Sequence, residues 1–259
     1  MPGLSERPAH LSLFSGIGGI DLAAEAAGFR TVAMCENNPF CRRVLAKHWP
    51  GVPIWEDVHD FDGRPYRGRI ALVSGGFPCQ PYSHMGKRAG SDDERALWPA
   101  MLRVIREVQP TWVLAENVTN FIGMGLDDAC ADLEDSGYQV GPITLSAASV
   151  GACHHRERLF ILAHTDRHGP LRQGLSPEWG ESLPLAAGSL GATGGQALPE
   201  PQHPQDRSFV YRVADGVPHR VDRSRALGNA VMPQQCYPVL REMYRLLTEE
   251  ADDAQAADA

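Results

Sequence analysis

One cysteine, one glutamate and a pair of arginines are the side chains of this sequence whose types and settings could do chemistry. Cys79 lies in Gly75-Gly76-Phe77-Pro78-Cys79-Gln80-Pro81-Tyr82-Ser83, directly after the apolar run 70–74. A thiolate is a strong nucleophile, and prolines on either side fix backbone angles so that a rigid turn presents it. Ligands of open α/β folds bind outside the carboxyl ends of the strands, which is where this loop falls. A free cysteine is also commonly a small buried apolar residue, so the loop alone leaves both readings open. Glu116 ends the apolar run of Trp112-Val113-Leu114-Ala115-Glu116-Asn117-Val118, a setting that suits a general acid or base, a neighbour of a helix N-cap, or a surface acid. Arg156 and Arg158, in Gly151-Ala152-Cys153-His154-His155-Arg156-Glu157-Arg158-Leu159-Phe160, are two apart and so face one side of a strand. Two guanidiniums leading into an apolar strand are costly to bury unpaired, and they should meet an anion, a polar ligand or an internal carboxylate.

A second group points to a ligand rather than to bond making. The first apolar run ends in Leu13-Phe14-Ser15-Gly16-Ile17-Gly18-Gly19, and Glu36 closes the second. Glycines at a strand-to-helix turn let backbone approach a ligand closely, while a carboxylate after the second strand can take both hydroxyls of a ribose. With Asp57-Val58 placed to reach an adenine from the next strand end, these residues favour a nucleoside-containing cofactor. The glycine spacing is not GxGxxG, which argues against a nicotinamide-dependent oxidoreductase.

The elements that must position these groups are legible as alternating patterns. Strands are predicted near 11–14, 31–35, 70–74, 112–115 and 159–163, and helices over 20–27, 39–48, 96–108 and 126–136, where apolar residues recur at three and four. Pro39 suits a first helical turn, and Gly28 and Gly137 suit C-terminal caps. The fold class is therefore α/β, doubly wound, with a mainly parallel sheet and helices on both faces. From 165 to 217 the pattern breaks into Gly, Pro, Ser and Gln with isolated hydrophobes, a small irregular lobe or a linker. Periodicity returns over 233–247, where Tyr237, Leu240, Met243, Tyr244 and Leu247 would share a helix face.

Composition sets the outer bounds. The 259 residues suffice for one large α/β domain and a small appendage. Six cysteines, at 35, 41, 79, 130, 153 and 236, show no CxxC or zinc-ligand spacing, which predicts reduced thiols, a cytosolic setting and no metal. No run has the length of a signal peptide's apolar segment or of a membrane span. The net charge of −8 argues at first against nucleic acid, yet Glu249, Glu250, Asp252, Asp253 and Asp258 concentrate in an Ala/Asp-rich end expected to be disordered. Lys87-Arg88, Arg156, Arg158, Arg207, Arg212, Arg220, Arg223 and Arg225 cluster in or beside the motifs, as a phosphate-binding rim would.

Phe-Ser-Gly-Ile-Gly-Gly at 14–19, Pro-Cys-Gln at 78–80, Glu-Asn-Val at 116–118, Arg-x-Arg at 156–158 and Gly-Asn-Ala-Val-x-Pro at 228–233 together resemble the blocks of the DNA (cytosine-5) methyltransferases, in that family's order. The resemblance implies a sheet of the S-adenosylmethionine-dependent methyltransferase type with a small irregular target-recognition region. On that pattern residues 1–164 form the catalytic and cofactor-binding domain, 165–225 recognise the target, 226–248 return to the catalytic domain and 249–259 are the acidic tail. It implies S-adenosylmethionine held by Phe14, Gly16, Ile17, Gly19, Glu36, Asn37, Asp57, Val58, Pro78, Asn229 and Val231. It further implies Cys79 as nucleophile, Glu116 on the target base, and Arg156 and Arg158 steadying base and phosphate, acting on a cytosine flipped out of double-stranded DNA. A monomer in the cytoplasm of a bacterial cell, of host or phage origin, is the expected form.

The sequence departs from the family in three ways. His154 stands where a glutamine is usual, the recognition stretch is short, and the arginine block that normally packs beneath it is missing unless 212–225 replace it. Two rivals follow from the same residues. One is the tRNA-methylating branch, which keeps the catalytic blocks; the other is a non-catalytic DNA-binding subunit, for which the set Cys79, Glu116, Arg156 and Arg158 would have no use.

Overall fold

In a computed structural model, which describes residues 7–78, 97–152, 154–165 and 220–257, the apolar runs pair into one seven-stranded sheet. The strands are β1 (Ala9–Leu13), β2 (Arg30–Cys35), β3 (Ile54–Trp55), β4 (Leu72–Gly76), β5 (Trp112–Val118), β6 (Tyr138–Ser146) and β7 (Glu157–Thr165), in the order β3-β2-β1-β4-β5-β7-β6. The first five are mutually parallel, and β7 runs antiparallel to both β5 and β6. Strand order reverses between β1 and β4, which opens a crevice at their carboxyl ends.

Neighbouring residues of the central strands feed opposite faces, because side chains alternate along a strand. Val73, Val113 and Ile161 join Met101 and Ile105 on one face, whereas Leu72, Leu114 and Leu162 join Ile20, Ala24, Val239 and Leu240 on the other. Helices α3 (Trp98–Val108) and α4 (Leu126–Glu134) contribute to the first face. Helices α1 (Gly19–Ala27) and α6 (Pro233–Ala257) cover the second. The chain therefore comes back from its far end to close the core that its first helix begins. A short helix α5 (Arg220–Asn229) leads into that return.

The local signals behave as their chemistry requires. Asn38 caps α2 (Pro39–His48), its Oδ1 accepting from the amides of Phe40 and Cys41, and Pro39 occupies the first turn. Gly28 ends α1 at φ 120. The sheet is doubly wound and mainly parallel, as predicted, but the two-residue β3 was not among the predicted strands, and three further elements differ from expectation. Strand β6 was not predicted, since Gly141 and Pro142 interrupt its apolar pattern; it lies at the sheet edge, where proline is tolerated. Helix α5 carries few apolar residues and shows little helical periodicity. Helix α6 runs on to Ala257 instead of stopping at 247, through an Ala-, Glu- and Gln-bearing stretch of good helix formers, with Arg245 bridging Glu242 and Glu249 one turn either side. The predicted recognition stretch lies outside the described residues over 166–219.

Candidate active site

The crevice at the β1/β4 switch point is a cavity of about 550 Å³. Its lining includes Phe14, Gly16, Glu36, Asn37, Asp57, Val58, Pro78, Glu116, Arg158 and Asn229, ten of the residues singled out in the sequence. Ile17, Gly19, Val231 and Arg156 stand outside the lining. Cys79 follows Pro78 and lies outside the described residues, as does Cys153. Four other cysteines, Cys35, Cys41, Cys130 and Cys236, are free thiols.

The glycine turn and Glu36 form one unit. Phe14 is held at φ 51, a left-handed conformation rare for a non-glycine residue, and Gly16 and Gly18 follow at φ 56 and 88. The Glu36 carboxylate fixes this turn: Oε2 accepts from the Gly16 amide at 2.7 Å and Oε1 from the Asn38 amide at 2.7 Å. Arg42 braces the same corner from below, donating to the Asn37 carbonyl at 2.7 Å and pairing with Glu56 at 3.0 Å. Each Glu36 oxygen has spent one acceptor position on backbone and keeps another, so the two together fit a vicinal diol. Glu36→Ala is expected to weaken S-adenosylmethionine binding roughly ten- to hundredfold by calorimetry, whereas a cysteine variant at position 79 should bind it normally. Unchanged affinity in folded Glu36→Ala protein would take this residue out of the site.

Glu116 and Arg158 form the second unit. Register places Glu116 opposite Gly76 on β4 and Phe160 on β7. A side chain at position 76 would crowd it, since a Cβ there would stand 3.1 Å from Glu116 Oε2. Glu116 is 7% exposed, and Arg158 Nε meets its Oε1 at 2.8 Å. Burial pushes the Glu116 carboxyl up to about 7, outweighing the opposing pull of Arg158 and Arg156. A carboxyl raised to about 7 can act as a general acid toward a group in the cavity near neutral pH.

The two arginines part company. Arg156 precedes β7 and sends Nη2 to the carbonyls of Gly228 at 2.9 Å and Ala230 at 2.7 Å, while Arg158 makes the ion pair with Glu116. Strand alternation predicted one destination for both, but it holds only within the strand, and β7 begins at Glu157. His154 is exposed. Several lining residues carried no role in the sequence analysis. Asn117 was visible only as part of a motif; its Nδ2 donates to the Phe77 carbonyl at 3.2 Å, fixing the backbone that leads to Cys79. Asn120 and Met124 also line the cavity, and only position beyond the end of β5 could have marked them; Gly228, which lines it too, was visible only as the first residue of its motif. A groove of similar volume outside α3 is lined by Arg64, Arg67, Arg103 and Arg106, whose donors are engaged by Asp62, Glu107, Ser136 and main-chain carbonyls. Among the described residues no cluster of His, Cys, Asp and Glu could hold a metal ion, and no helix is long and apolar enough to cross a membrane.

Similarity to known proteins falls on these same elements. The chain is 35% identical over 179 residues to the type II methyltransferase M.Eco47II of Escherichia coli, a match covering 66% of this chain and 42% of that one. It is 35% identical over 193 residues to the type II methyltransferase M.AquIA of Picosynechococcus sp., covering 66% of this chain and 77% of the relative. The chain thus spans about two fifths of the first relative's length and most of the second's. The S. pombe Dnmt2 methyltransferase shares the fold, with a TM-score of 0.54 and 24% identity over 63% of this chain and 52% of the other. The pattern of the C-5 cytosine-specific DNA methylases matches residues 9–193, more than half of the sequence, and the protein belongs to that family.

Proposed function

We propose that this protein transfers a methyl group from S-adenosylmethionine to C5 of a cytosine in double-stranded DNA, with Cys79 as a covalent catalyst. The observation that carries this reading is the pairing of buried Glu116 with Arg158, which shares one cavity with the Glu36-braced glycine turn. The residues fit the cofactor: free acceptor positions on Glu36 suit a ribose, close-approaching backbone at Gly16 suits its neighbour, and Asp57 and Val58 lie in the same wall. When bound, S-adenosylmethionine supplies an electrophilic methyl group.

Cytosine C5 is a poor nucleophile until C6 is attacked. The Cys79 thiolate adds to C6, and electron density moves through the ring onto C5. Glu116 meets the N3 and exocyclic amine edge and gives its proton to N3, which keeps the ring from accumulating charge. Arg158 orients that carboxyl through the 2.8 Å bond to Oε1, and its remaining N–H groups would serve the carbonyl oxygen of the base. After methylation the Glu116 carboxylate takes back the N3 proton, a base or water takes the C5 proton, the C5–C6 double bond re-forms and the thiolate leaves. None of these atoms can be reached within a stacked duplex, so the cytosine must be flipped into the cavity.

Bisulfite sequencing of DNA from cells expressing the protein should show cytosine protection confined to one sequence context. Methylation of tRNA with unmodified DNA would assign the RNA branch instead, and no modified base in either polymer, from folded protein, would remove the enzymatic reading.

A further inference from the structure

Residues 228–231 form a segment at the edge of the cavity that is held from three sides. A Cβ on Gly19 would stand 2.3 Å from the Val231 carbonyl oxygen, and one on Gly76 3.6 Å from a Val231 methyl, so this strip runs between the start of α1 and the end of β4. Gly228 and Asn229 face the cavity. On the third side stands Arg156, whose Nη2 bridges the carbonyls of Gly228 and Ala230 and so fixes Asn229 between two anchored neighbours. A terminal guanidinium nitrogen has two N–H bonds, and both are used here. The Gly228 carbonyl also belongs to the last turn of α5, an end that favours a cation. The main chain of Arg156 takes part as well: Gln235, fully buried in the first turn of α6, donates to the Arg156 carbonyl at 2.7 Å and to that of Leu145 at 3.1 Å.

We propose that Arg156 is a positioning residue for the cofactor, holding the wall at 228–230 in its binding shape, and that it does not touch the target base or a phosphate. The inference rests on the cavity being an S-adenosylmethionine site. It separates the functions of two arginines that the sequence pairs: Arg158 serves Glu116 and the base, and Arg156 joins the chain's last segment to the sheet.

The test is calorimetric titration of S-adenosylmethionine into the full chain without DNA, where a contact to base or phosphate has no influence. Arg156→Met should weaken binding roughly tenfold or more, since two charge-assisted bonds are lost. Arg156→Lys has a shorter stem and a point charge, so it should recover part of the affinity and bind about threefold or more below wild type. In steady state KM for S-adenosylmethionine should rise while kcat at saturating cofactor moves much less, a split that general loosening of the fold would not produce. Wild-type affinity in folded Arg156→Met, or a fall in kcat with KM for the cofactor unchanged, would overturn the proposal. If Arg156→Met lacks a cooperative thermal transition, Arg156→Lys decides, and its equality with wild type overturns the proposal too. A wild-type protein that binds no S-adenosylmethionine would remove the site itself, an outcome distinct from equal binding by wild type and variant.

Discussion

Incubated with S-adenosylmethionine and DNA carrying 5-fluorocytosine at its target position, the protein should become covalently attached to the DNA. Addition of the thiolate at C6 and methyl transfer to C5 both proceed on that base. The last step removes a proton from C5, and there the fluorine cannot leave as a proton does. The Cys79–C6 bond therefore persists, and denaturing electrophoresis should show a shifted band that depends on the cofactor. Cys79→Ser should show none, because a serine hydroxyl is a far weaker nucleophile near neutral pH. Methyl transfer to the exocyclic amine would need no attack at C6. Methylation of ordinary target DNA without any trapped species on the fluorinated one would thus sink the proposed mechanism.

The second large effect is expected at Glu116. Its carboxyl is raised to about 7 by burial, and in the proposed mechanism it carries the proton to N3, so the working form there is the protonated one. The rate of the chemical step in single turnover should fall as pH rises through about 7, and a thiolate requirement at Cys79 should set the acid limb. Glu116→Gln keeps a hydrogen-bond donor but cannot give up a proton; it should lose about 10²–10⁴ in rate and lack the alkaline limb. Replacing Arg158 by a neutral residue should move that limb to higher pH, because the guanidinium's charge lowers the carboxyl's proton affinity. The same group affects stability with a definite sign. Its proton affinity is higher folded than unfolded, so its contribution is fully present below pH 4.5 and is lost as pH rises through about 7. Glu116→Gln, having no charge to bury, should therefore lose less stability than wild type between those limits. A rate flat across neutrality in the wild type would remove Glu116 from the role of acid.

The sequence by itself determined which strand ends line the cavity. Glu36 ending the β2 turn, Asp57 beyond β3, Pro78 beyond β4 and Glu116 within β5 are local facts. An apolar run followed by a glycine, proline or carboxylate marks a strand's carboxyl end wherever the strand goes, and parallel strands bring all such ends to one edge. Helix α2 was legible to the residue for the same reason, since Asn38 and Pro39 set its start within two positions.

What only the tertiary structure decided is who meets whom across long stretches of chain. Strand β6 hid behind Gly141 and Pro142, because being an edge strand, where proline costs little, is a property of the sheet and not of the segment. The Arg158–Glu116 bond joins β7 to β5, and Arg156 reaches 72 and 74 residues along to Gly228 and Ala230. Periodicity fixes the side of a strand on which a side chain emerges, but not the partner that packing sets against it. Two arginines two residues apart therefore looked equivalent in sequence, and folding gave one to the Glu116 carboxylate and the other to the main chain at Gly228 and Ala230.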